Sequence, residues 1–196
     1  MFCAGAGATL YLLTLFQGLL VAALGSIGML IAIMMTPHNK ENTMKRLGML
    51  CCFGVFSGMS LGPLLDVVIA IDPSIVPTAF VGTCVIFVCL SLASLLSERR
   101  SFFFLAGPLM SGLSLLLVMS FLSLFTGMAF SFQFQVYFGL LLFCGFVLFD
   151  TQLIIERKEN GDDDYIRHSI DLFLDFVAIF KRLLIILASK EKKRKN

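Results

Sequence analysis

The chain has 196 residues, 58% of them hydrophobic and 14% charged, with a mean hydropathy of +0.94. That is far more apolar surface than one soluble core of this length can bury, and the charges lie in short islands between apolar runs long enough to cross a bilayer at roughly 20 residues each. The pattern excludes a soluble helical bundle, and a formal net charge of +2 gives no reason to expect nucleic acid as a partner.

Met1 to Met35 carries no charge, which is too long for one span and short for two. A break at Gln17-Gly18 gives a first helix over about residues 1–16 and a second over about 19–35, ended by Thr36-Pro37. The first would be only about 24 Å long, so the chain is expected to begin partway into a transmembrane helix, with no cleavable signal. Further apolar windows cover about 47–71, stopped by Asp72-Pro73, then about 76–97, 102–125, 134–155 and, after a charged loop, 169–189. The expectation is an all-α polytopic membrane protein of six to seven transmembrane helices. These form a single domain over 1–189, with a truncated first helix, followed by a basic tail over 190–196.

Lysine and arginine set the orientation. Lys40, Lys45 and Arg46 follow the second segment, Arg99 and Arg100 the fourth, and Arg157, Lys158 and Arg167 the sixth, whereas the loops around Gln17, Asp72 to Pro77 and Gly127 to Gln133 hold neither residue. Even-numbered segments, and the N-terminus, are therefore placed on the cytoplasmic side. A fully crossing seventh segment would put Lys190, Lys192, Lys193, Arg194 and Lys195 on the opposite side, so that segment either re-enters or exports a basic tail against the rule. Directly after an apolar helix, the basic cluster reads as a surface for anionic headgroups.

Gly54, Gly58 and Gly62 recur at every fourth position, a spacing that lets membrane helices approach closely, and Asp66 continues the stripe as a capped residue or part of an ion path. The six cysteines, Cys3, Cys51, Cys52, Cys84, Cys89 and Cys144, lie in apolar runs without ligand spacing and read as reduced packing residues. Phe102 to Phe104 read as lipid contacts.

The chemistry concentrates in acids where lipid should be. A carboxylate at a helix centre costs about 2.5 to 3.5 kcal/mol, so such residues face a partner or a wet cavity. Asp150 precedes the end of the sixth segment by about six residues, and Asp175 follows the start of the seventh by about as many. Both sit roughly 10 Å below the same interface. Antiparallel packing of the two helices brings the acids to one depth, where two carboxylates in low dielectric share a proton and form a pH-responsive latch. Deprotonated, the pair is a weak, transient site for a hard cation such as calcium. Asp171, one turn before Asp175, and Arg182, two turns after it, are placed to pair with or tune the site. Asp162, Asp163 and Asp164 lack the alternating ligand spacing of a calcium loop and read as a solvated turn near the next helix start. His168 reads as interfacial and not a metal ligand, His38 being the only other histidine.

Six words recur in order along the chain: TPH at 36–38, KRLGML at 45–50, GPLLD at 62–66, PSIVPTAFVGT at 73–83, GFVLFDTQLIIE at 145–156 and DYIRHSIDLFLDFVAIF at 164–180. In these the chain resembles the Bax inhibitor-1 family, the transmembrane Bax-inhibitor-motif proteins, and most closely its endoplasmic reticulum branch. The resemblance covers essentially the whole chain and implies a seven-segment helical fold in which Asp150 and Asp175 form a pH-sensitive gate for calcium leak. It also implies residence in the reticulum membrane, suppression of Bax-driven cell death, lowered luminal calcium and damping of the unfolded-protein response. The basic tail, Lys190 to Lys195, is implied in the pH response and in protection. The arginine that latches the pair in bacterial relatives has Arg46 as its nearest counterpart. Relatives of this branch carry a cytoplasmic N-terminal segment and a complete first helix, so a shortened N-terminus is expected here.

Two further classes compete with a calcium leak. One is a non-conducting adaptor whose surfaces bind Bcl-2-type death regulators or stress sensors in the membrane; it would survive neutralisation of the acid pair. The other is a two-aspartate intramembrane protease. The protease class needs a GxGD word, and Val147, Leu148 and Phe149 precede Asp150, so the chain is not expected to be an enzyme and no cofactor beyond a permeant calcium ion is expected.

Overall fold

The charge-free start does not break at Gln17-Gly18. The computed structural model describes residues 2–37, 42–98, 101–126, 129–162 and 164–195, side chains of 2–17, 19, 124–126 and 129–131 excepted. In it Phe2–Met35 form a single helix, α1, of 34 residues. Inside an apolar helix a glycine leaves the backbone bonded within the segment, and this satisfaction dominates in lipid. The first two expected segments are one.

The remaining elements are α2 (Thr43–Ile71), α3 (Ile75–Leu96), a 3-10 turn (Phe103–Leu105), α4 (Ala106–Thr126), α5 (Ala129–Glu159) and α6 (Tyr165–Lys195). The protein is all-α and polytopic: among the described residues four helices are long and apolar enough to cross a membrane, namely Thr43–Ile71, Ile75–Leu96, Phe103–Ser123 and Phe132–Glu159. The expected loop from Gly127 to Gln133 is shorter, since α5 has begun by Ala129. His38, Lys40, Arg99, Arg100 and Asp163 lie outside the described residues.

The chain forms two compact units, Met1–Val67 and Val68–Asn196, with the boundary inside α2. In the first, Gly25 of α1 lies against the Phe56 ring of α2, where a Cβ would come within 2.8 Å of the ring. The expected close approach along Gly54, Gly58 and Gly62 does not occur: among the described residues nothing lies within 4 Å of where their side chains would start. Cys51 and Cys52 of α2 and Cys89 of α3 are exposed, so they face outward and do not pack a core as expected.

In the second unit α3, α5 and α6 pack against one another and α4 packs on α5. Edge-to-face rings join α3 to α6, with Phe80 6.0 Å from Phe176 and 6.2 Å from Phe180, and Phe87 5.6 Å from Phe176. Leu109 and Leu116 of α4 close on Leu142 of α5. The ends of α3 and α5 are tied by polar bonds. Ser94 Oγ donates to the Leu148 carbonyl at 2.7 Å, and buried Gln152 bridges the connection after α3, its Nε2 donating to the Glu98 carbonyl (3.0 Å) while its Oε1 accepts from the Phe102 N–H (2.8 Å). Phe103 turns inward to Phe149 at 5.8 Å, correcting its reading as a lipid contact, while Phe104 is exposed. Gln152→Ala is expected to destabilise the protein by about 1–2 kcal/mol, against about 0.6 kcal/mol for Ser94→Ala, because it orphans two backbone groups and not one. Equilibrium unfolding in mixed micelles checks this.

The last helix does not re-enter. Tyr165–Lys195 is one continuous helix of 31 residues, about 46 Å long. Its basic end is helical, and Lys195 Nζ donates to the Ile71 carbonyl at 2.8 Å and lies 3.8 Å from an Asp72 carboxyl oxygen. The expected lipid-facing tail is therefore a helix end docked, through Lys195, on the connection between α2 and α3. Lys190, Lys192, Lys193 and Arg194 are exposed, Arg194 lying 3.5 Å from Glu191. Asp72 closes its own turn by accepting the Ser74 N–H at 2.8 Å, and hydrogen bonds from Ser74 hold its carboxyl below the usual range, with Lys195 adding to the effect.

Candidate functional site: an acid pair between α5 and α6

α5 ends in a turn that reverses the chain within a few residues. Gly161, at φ 89°, takes the left-handed conformation after the helix; its N–H donates to the Lys158 carbonyl (3.1 Å) and that of Asp162 to the Arg157 carbonyl (3.0 Å), closing the C-terminus. Asp164 then accepts the Arg167 N–H at 3.2 Å and opens α6, while Asp162 accepts the Asp164 N–H at 3.0 Å. These acids build the turn, as expected of them. The reversal sets α5 and α6 antiparallel, and their shared face carries the site.

On that face the carboxyl groups of Asp150 and Asp175 lie within hydrogen-bonding reach of one another. Two carboxyls bond to one another only when one carries the proton that the other accepts. Asp175 is 4% exposed, its Oδ2 is buried without a partner, and Asp150 is half-buried. Asp171 stands beside them, paired with Arg157 of α5 (Nη1 to Oδ2, 3.5 Å). The site is thus three acids with the Arg157 guanidinium against them, and Arg167 and His168 of α6 also act on Asp171. Sequence reasoning used Arg157 only to orient the chain, although it stands two turns after Asp150 and so on the same helical face.

Arg182 does not reach the acids: its Nη1 donates to the Ala178 carbonyl at 3.1 Å, and its guanidinium lies on Phe143, 4.3 Å from the ring centroid, in the space left by Gly139. Asp66 is exposed on α2, and Arg46 is 2% exposed, near the start of the same helix; both belong to the first unit. His168, in the first turn of α6, is buried at 7% exposed, with neither ring nitrogen hydrogen-bonded. Among the described residues no group of three or more His, Cys, Asp or Glu side chains is arranged to hold a metal ion.

The profile of the family described as "Inhibitor of apoptosis-promoting Bax1" matches residues 1–192. The chain belongs to the Bax inhibitor-1 family. Among its relatives is a Bax inhibitor 1 of Bos taurus, 55% identical over 197 residues that take in all of this chain and 84% of the relative. The Homo sapiens Bax inhibitor 1 is 53% identical over all of this chain and 83% of the relative. Bax inhibitor 1 of Arabidopsis thaliana is 47% identical over 92% of this chain and 72% of its own length. The likeness spans animals and plants, so membership in this family of membrane proteins does not rest on a local motif.

Proposed function

We propose that this protein is a non-enzymatic, multi-pass regulator of the endoplasmic reticulum membrane that suppresses apoptosis and damps stress signalling through a pH-sensitive calcium leak gated by Asp150 and Asp175. The observation that carries the reading is the juxtaposition of the Asp150 and Asp175 carboxyls between α5 and α6, with the Arg157–Asp171 pair alongside. Protonated, the pair fastens the two helices. Once the shared proton is lost, two adjacent negative charges repel each other and attract a hard cation, for which they supply part of a shell of roughly six to eight oxygens, water supplying the rest. Residence in the reticulum, and action on Bcl-2-type death regulators and stress sensors, follow from family membership as further parts of the proposal.

The test is calcium release from reconstituted vesicles between about pH 6 and pH 8, comparing the native chain with the double variant Asp150→Asn, Asp175→Asn. A pH-dependent leak that the double variant loses is expected. No leak from either protein, both folded, would replace the gate by a non-conducting adaptor that binds those membrane regulators directly.

A further inference from the structure

α4 and α6 both pack on α5, and between them runs a cleft of about 430 Å³. Its walls are mostly apolar, with Leu113 and Leu117 from α4, Val136 from α5 and Ile185 from α6 beside Ser120 and Gln135, yet Lys181 and Arg182 both line it. Both are half-buried, the Nε of Arg182 is buried without a hydrogen-bond partner, and among the described residues no carboxylate pairs with either. Two adjacent cations in an apolar cleft are poorly matched to their surroundings unless an anion joins them.

Depth selects the anion. The α4 span, Phe103–Ser123, has 21 residues and just covers the hydrocarbon, so its end marks the boundary. Gly112 meets Leu142 across the helix contact, which sets Phe143, and the Arg182 guanidinium on it, at the level of Gly112. That level is about 16 Å from the end of α4, near mid-bilayer. A phospholipid phosphate stays at the interface. A single-chain carboxylic acid reaches this depth, because it can enter neutral and ionise against the cations, and it brings a chain that suits the walls.

We propose that the cleft between α4 and α6 binds one long-chain fatty acid, its carboxylate against Arg182 and Lys181 and its chain along Leu113, Leu117, Val136 and Ile185. The acyl chain replaces lipid on these walls, while the guanidinium is held in place for the carboxylate by Phe143 and the Ala178 carbonyl.

The chain has no tryptophan, so the fluorescent fatty acid cis-parinaric acid can be titrated into the full-length protein in neutral phosphatidylcholine nanodiscs. Saturable binding is expected, displaced by oleate and not by methyl oleate. The double variant Lys181→Gln, Arg182→Gln should weaken it by about tenfold or more, whereas Arg182→Lys, which keeps the charge but loses the planar group stacked on Phe143, should weaken it less than the double variant does. Displacement by methyl oleate as effective as by oleate would overturn the proposal, as would stronger displacement by phosphatidylglycerol or by inorganic phosphate. Should the double variant not fold, Leu117→Trp fills the cleft without touching either cation; undiminished binding in that variant would overturn the proposal equally.

Discussion

Calcium release from vesicles is expected to rise as pH rises and to fall toward zero as the pair becomes protonated, and Arg157→Gln is expected to move the midpoint upward. The sign follows from the geometry. The Asp150 and Asp175 carboxyls are close enough to bond only when they share a proton; acid favours that bond and base removes it, leaving two charges that favour opening and cation entry. Arg157, 3.5 Å from Asp171 and next to Asp150, offsets part of the negative charge that accumulates. Without it the last proton is harder to remove, so release begins at a higher pH. The double variant Asp150→Asn, Asp175→Asn keeps the side-chain shapes and a hydrogen bond but has no proton to lose, so a flat pH response is expected, with at least a tenfold reduction in release at the alkaline end. A variant that kept the native pH profile would rule the pair out as the sensor. Replacing Asp171 by Asn provides a second check, since it removes the Arg157 partner while leaving the central bond in place.

The second large effect concerns glycines at the contact of α4 with α5. A Cβ at Gly145 would come within 2.8 Å of Leu109, and one at Gly112 would run into Leu142. Gly145→Val and Gly112→Val should each cost about 1–3 kcal/mol by forcing the helices apart, and more in combination because they act on one interface. Alanine at Gly54, Gly58 or Gly62, where among the described residues no neighbour lies within 4 Å, should be tolerated or even add up to about 1 kcal/mol of helix propensity each. Unfolding by denaturing detergent, followed by helical circular dichroism, separates the two sets. Equal destabilisation by both would mean that the second unit does not pack through Gly112 and Gly145.

This contrast shows what the sequence could and could not convey. A four-residue repeat marks glycines that share a face of one helix, but contact depends on what the partner helix presents. Gly112 and Gly145 belong to no repeat and are found only once α4 lies on α5. Spans bounded by charges were legible because a charge in lipid is costly: α3 and α4 end within a few residues of the expected positions. α6 was harder, since lysine and arginine are good helix formers and suit a helix C-terminus, so Lys190 to Lys195 continue the helix although hydropathy stops at Ser189. The acid pair was legible because two short counts, from Asp150 to the end of α5 and from the start of α6 to Asp175, place both at one depth. Arg182 was misassigned by the same counting: two turns along α6 lie about 10 Å away, beyond the reach of the acids, and Phe143 and Gly139 offer it a nearer place. Arg157 was overlooked because its value as a marker of sidedness hid its place on the face of Asp150.

The polarity of α6 bears on how the chain is made. His168, Asp175, Lys181 and Arg182 interrupt its apolar residues, and α3 and α5 supply the surfaces against which it packs. Emerging from the ribosome after α3 and α5, this helix leaves the insertion machinery as a poor candidate for lipid on its own. Its integration is conditional on upstream helices already assembled and waiting. A chain that stalls or misplaces α5 would strand α6 outside the bilayer, with its acids and cations exposed to the degradation systems that police half-finished membrane proteins.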